Sequence, residues 1–243
     1  MRKLSDLIST DPAFSSEVLT IVNSPLYAIR SPINSVLHAI AVLGTDSLKG
    51  VCLTVGVRVY LGKAFQHESL RALWRHSLAC GLVAQELAMA GSTSKDAAYT
   101  AGVMHDIGRL ALAVIRPREY AALIMTHSGS PSSMLKGERE LFGFDHCEAG
   151  RHLIADWKLP AEFQSIVSDH HSARPKEGPW RLADLIKVSC RMADTLGFST
   201  FPGCEVTPYA DLLSETPQPA TFRADMDSLF FEVSSKINAL EVA

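Results

Sequence analysis

The spacing of apolar residues constrains the fold of this chain most. They recur at three- and four-residue intervals along nearly its whole length, and no segment bounded by turn residues alternates apolar and polar positions. This pattern predicts an all-α protein. A hydrophobic share of 47% over 243 residues is ample for a packed core.

Ser16–Val22 reads as a short helix ending near Asn23-Ser24-Pro25, and Ser35–Leu43 as another closed by Gly44. Asp46 is then the expected N-cap of a helix through Leu48, Val51, Cys52 and Val55. A long helix over Leu70–Met89 carries one apolar face and contains His76; a second, Asp96–Ile115, follows Gly91-Ser92-Thr93-Ser94 and stops before Pro117. Asp145 and Glu148 form a capping-box pair that places His146 at a first helical position, and Pro160 opens a helix leading to His170-His171. After a loop at 172–179, a helix through Leu182, Leu185, Ile186 and Ala193 ends at Gly197, with Asp194 near its end. The Pro-, Gly-, Ser- and Thr-rich stretch to Thr221 reads as an extended connection. A final amphipathic helix, 222–240, presents Phe222, Met226, Leu229, Phe230, Val233 and Ile237 as a stripe expected to pack on its own domain. The chain thus divides into an N-terminal subdomain of short helices (1–66), a helical core (67–198) and a C-terminal loop and helix on the same domain (199–243).

A net charge of −3 and a pI near 6.3 leave no basic footprint for direct DNA binding or for an anionic membrane. The start of the chain lacks a signal-peptide apolar core, and no apolar run is long enough to span a bilayer. Five scattered cysteines without a Cys-x-x-Cys pair argue against a disulfide framework or a zinc ribbon, and read as ordinary reduced thiols of a cytoplasmic protein.

Against this apolar background the dipeptide His105-Asp106, inside Gly102-Val103-Met104-His105-Asp106-Ile107-Gly108-Arg109-Leu110, stands out. A buried carboxylate is costly unless a cation or a metal ion faces it. The candidate partners, in chain order, are His76, His105, Asp106, His146, His170, His171 and Asp194, spread over separate helices. Imidazole and carboxylate without thiolate suit one or two divalent transition-metal ions (iron, manganese, zinc or nickel) rather than a structural zinc. Gly102 and Gly108, each three residues from His105, would let neighbouring backbones approach closely. Within one helix His105 and Asp106 would diverge by about 100° and serve two ions or two sides of one. His146 at a helix N-terminus would be biased towards its neutral form. His38, His67, His127 and His152 read as ordinary packed or surface histidines.

The chain resembles the HDOD family, the HD-related output domains of bacterial signalling proteins. The resemblance lies in Asp11-Pro12-Ala13, Ile21-Val22-Asn23-Ser24-Pro25-Leu26-Tyr27, Ile33 with Ser35, Ala39-Ile40 and Leu43-Gly44. It continues in Leu73-Trp74-Arg75-His76-Ser77, Gly102 to Leu110, Phe142-Gly143-Phe144-Asp145-His146, Trp157-Lys158-Leu159-Pro160 and His170-His171. It implies an HD-like helical bundle whose first family helix is here short or missing. It also implies that His76, His105, Asp106 and Asp194 match the core HD ligands, and that His146, His170 and His171 match the extra histidines of two-metal HD-GYP sites. The chain departs from HD-GYP enzymes in three ways. No Gly-Tyr-Pro follows His171, Arg109 replaces their lysine, and Ala72 offers no third-metal carboxylate.

The resemblance implies a bacterial signal-transduction module without catalysis, acting through a signalling protein partner or a bound nucleotide or cyclic dinucleotide. The alternative it carries is a metal-dependent phosphohydrolase or phosphodiesterase, in which Asp106 would bind metal and Arg109 would contact phosphate through its planar fork.

Overall fold

The structure, a computed structural model, describes residues 1–62, 67–89, 93–126, 130–172, 180–201, 203–216, 222 and 225–242. The described residues form helices and their connections, with no strand among them, so the fold is the all-α one that the spacing predicts. His127, Gly91-Ser92 and residues 173–179 of the expected 172–179 loop lie outside the described residues. Two compact units are present, one of residues 1–62 with 230–243 and one of residues 63–229.

In the first unit, α1 (Arg2–Ser9), α2 (Pro12–Val22), α3 (Val36–Leu43) and α4 (Thr45–Leu61) pack against one another. Asp11 caps α2 by accepting from the Phe14 amide at 3.0 Å, and Pro12 fits the first turn, where no amide partner is needed. The helix thus starts four residues before Ser16. The Asn23 side chain then holds both backbone groups of Ile33 at 2.7 Å, closing the 24–32 loop. Gly44, at φ +83°, ends α3 and is itself the N-cap of α4. Asp46 therefore sits inside the first turn, paired with Lys49 at 2.7 Å, and is not the cap the sequence suggests.

The second unit contains α5 (Glu68–Met89), α6 (Lys95–Met104), α7 (Ile107–Ile115), α8 (Pro117–Thr126), α9 (Pro131–Phe142), α10 (His146–Asp156), α11 (Ala161–Asp169), α12 (Leu182–Thr195) and α13 (Tyr209–Ser214). The main departure from the sequence reading is the expected single helix over Asp96–Ile115, which is two helices with a break at His105-Asp106. The stretch read as an extended connection contains α13, and the final helix, α14, spans Met226–Val242. Of the expected α14 stripe, Leu229, Val233 and Ile237 are buried, whereas Met226 and Phe230 are exposed.

Glycines set the helix spacing. A Cβ on Gly102 of α6 would lie 2.5 Å from Cα of Gly81 on α5, and one on Gly108 of α7 would run into the His146 carbonyl of α10. The close approaches expected of Gly102 and Gly108 are thus present, and Gly81 and Gly150 are the facing backbones.

Candidate metal centre

Asp106 sits at the N-cap position of α7 with φ −108° and ψ 20°, in the sparsely populated bridge region. Aspartate is among the best N-caps, yet this side chain makes no capping hydrogen bond. It turns inward instead, to within 3.2 Å of His170 Nε2, 3.5 Å of His146 Nε2 and 3.4 Å of Arg109 Nε. At the same break, His105 Nδ1 donates to the Gly102 carbonyl at 2.6 Å.

Four imidazoles are oriented the same way. His76 Nδ1 donates to the Phe198 carbonyl at 2.9 Å and His170 Nδ1 to the Val167 carbonyl at 3.0 Å. His146 Nδ1 donates to Glu138 Oε2 at 2.6 Å. In the neutral ring, each of these and His105 would therefore present an Nε2 lone pair, the tautomer that second-sphere hydrogen bonds select in metal-ligating histidines. Among the described residues, His105 Nε2, His170 Nε2 and Asp106 Oδ1 are buried without a hydrogen-bond partner. Ligand atoms of His105, Asp106 and His170 all lie within 4.8 Å of one another. Such orphaned acceptors are the expected lining of a cation site. The donor set therefore fits a divalent ion.

Arg109 provides a positive charge of its own. Its side chain is 2% exposed, and its guanidinium donates to Thr200 Oγ1 at 2.9 Å while approaching His146 Nε2 at 3.3 Å and His171 Nε2 at 3.4 Å. Burial opposes the charges of Asp106 and Arg109, but their mutual attraction outweighs it, holding the carboxyl well below and the guanidinium above the usual values. Burial also lowers His105 and His146. His105 is taken down to about 3, against the pull of Asp106, and His146 is lowered by burial and then by Arg109. The fully buried set of Asp106, Glu138 and Arg109 therefore carries one negative charge in excess.

The remaining predicted residues are all close by. Asp194 Oδ1 lies 3.4 Å from Nδ1 of His76, on the outer edge of that ring, and His171 Nε2 lies 2.9 Å from His146 Nε2. His38 and His152 are exposed, and His67 is partly so. A cavity of about 410 Å³ opens onto Asp106, Arg109, His170, Lys187 and Cys190. The sequence reading missed Glu138, although Met134 and Glu138 share the buried stripe of α9. It also missed Thr200, and Cys190, which sits one turn before Asp194 on α12.

Comparison with known proteins agrees with this architecture. A Treponema pallidum (strain Nichols) protein of uncharacterised function is 25% identical over 181 residues, which is 70% of this chain and 34% of that protein. The chain thus spans about a third of the length of the curated relative it matches. A Shewanella amazonensis SB2B structure, provisionally called a phosphohydrolase, matches over 99% of this chain and 86% of its own, at 20% identity and TM-score 0.72. The MmoQ response regulator of Methylococcus capsulatus str. Bath matches over 94% of this chain and 88% of its own, at 26% identity and TM-score 0.56. The family model of the HDOD domain matches residues 1–173, and with most of the chain inside that match, the protein belongs to the HDOD domain family.

Proposed function

We propose that this chain is a regulatory module of signal transduction whose HD pocket binds a cation and a ligand without turning a substrate over. The observation that carries this reading is the placement of Arg109. Its buried guanidinium faces Asp106, His146 and His171, the same groups that a second ion would need. A tethered guanidinium supplies charge and hydrogen bonds but cannot act as a Lewis acid. His76, His105, Asp106 and His170 would hold a single ion, which when bound would supply Lewis-acid stabilisation of an anionic ligand. Lys187, 7% exposed and donating to Ser172 Oγ at 3.0 Å, adds positive charge to the same cavity. Together with a bound divalent ion, that charge would favour an anionic ligand such as a nucleotide or cyclic dinucleotide. The response-regulator relative supports a protein partner in a signalling chain, and among the described residues no helix is long and apolar enough to cross a membrane.

A metal-dependent phosphohydrolase is the second reading, favoured by the orphaned acceptors of His105, Asp106 and His170. Metal analysis and turnover separate the two. Protein prepared with manganese, iron or zinc is expected to carry about one ion per chain, lost in His105→Ala and Asp106→Ala, and to leave a generic phosphodiester intact. Hydrolysis by the wild type that Asp106→Ala abolishes would establish the enzyme instead.

A further inference from the structure

We propose that Cys190 is a metal ligand, so that one ion is held by its thiolate together with His76 and His105; this rests on the reading of the pocket as a cation site. α12 buries Cys190, 9% exposed, with Sγ 3.4 Å from His76 Nε2. His76 Nδ1 already donates to the Phe198 carbonyl, so Nε2 is an acceptor and the S–H is the donor between them. His105 is 1% exposed, its Nε2 has no hydrogen-bond partner among the described residues, and its ring lies 5.3 Å from that of His76. One ligand atom from each of His76, His105 and Cys190 lies within 4.8 Å of the other two.

The spacing is that of a coordination sphere. A nitrogen and a sulfur on one tetrahedral zinc ion are about 3.6 Å apart, close to the 3.4 Å between His76 Nε2 and Cys190 Sγ. Binding replaces the S–H bond by a sulfur–metal bond, and the proton leaves to solvent. Asp194, one turn further on, lies against the opposite nitrogen of His76 at 3.4 Å. It is placed to orient the ring, as second-sphere carboxylates do. A thiolate in the set shifts preference from manganese and magnesium towards zinc, iron and cobalt.

The test uses the full chain, stripped with a chelator and reloaded with cobalt(II). A sulfur-to-cobalt charge-transfer band in the near ultraviolet is expected in the wild type and in Cys147→Ser and Cys204→Ser, and is expected to be lost in Cys190→Ser. Independently of any variant, zinc loading should abolish alkylation of Cys190 while leaving Cys147 and Cys204 reactive. A band that survives in Cys190→Ser, or that Cys147→Ser removes, overturns the assignment. Cobalt bound through His105 without the band sinks Cys190 alone and leaves the pocket standing, whereas failure to take up cobalt, zinc or iron sinks both.

Discussion

Arg109 is the residue on which the pocket's charge balance turns. Removing one member of a buried ion pair strands the other, at a cost of about 3–5 kcal/mol. Arg109→Met is therefore expected to destabilise the metal-free protein by about 4 kcal/mol, read by urea unfolding, with added zinc restoring part of the loss. A cost below about 1 kcal/mol, the worth of an exposed pair, would show that the guanidinium is not the partner of Asp106. At this scale the sequence was informative where a polar side chain interrupts an apolar helix face. His76, His105, Asp106, His146 and His170 all carry that signal, and the structure brings them together. Glu138 carries it too, four residues after Met134 on the buried side of α9, but without a neighbouring histidine it gave no pattern to recognise. Cys190 was hidden for a different reason, since a buried thiol ordinarily behaves as a small hydrophobe.

The division of the Asp96–Ile115 stretch is the main lesson at the level of elements. From Ala97 to Ile115 the chain has no proline and a nearly continuous apolar character, so local propensity favours one helix. The break comes from tertiary demands on Asp106, which gives up a capping role to face the histidines. The capping box at Asp145 and Glu148, by contrast, is wholly local, and it forms as the sequence indicates. Helix contacts made through glycine are equally exacting. Gly108→Ala would drive a methyl group into the His146 carbonyl, and is expected to cost about 3 kcal/mol as an overpacking defect. The loss should appear in thermal unfolding together with weaker zinc binding, because α7, which Gly108 seats on α10, starts at Asp106. An unchanged melting temperature would mean that α7 and α10 slide apart without penalty.

For the whole molecule, the pocket lies within the unit of residues 63–229, whereas the family match ends at residue 173. The wall contributed by α12, with Lys187, Cys190 and Asp194, is thus outside the matched stretch. The stability of this unit is expected to depend on acid. The folded value of His105 is about 3 against 6.5 for an ordinary histidine, so the unfolded chain binds the extra proton as pH falls below 6.5. Stability present above that pH is lost on acidification. Between pH 6.5 and 5 the metal-free protein should lose about 2 kcal/mol from His105, measurable by urea unfolding at the two pH values, and a flat profile would refute the burial of a neutral His105.

Tyr120 on α8 donates to Glu138 on α9 at 2.5 Å, Glu138 holds His146 on α10, and His146 meets Arg109 on α7, which faces Asp106. Three hydrogen bonds and one ion pair thus form a continuous file from a tyrosine hydroxyl to the Asp106 carboxylate that lines the cavity. Such a file has no privileged end. An event that alters the seating of α8 is expected to change how strongly His146 and Arg109 are held, and a ligand that fills the cavity would then, by the reciprocity of linked equilibria, change the seating of α8 by the same free energy. The seating of α8 and the charge of Asp106 are, in that sense, a single instrument read from two sides.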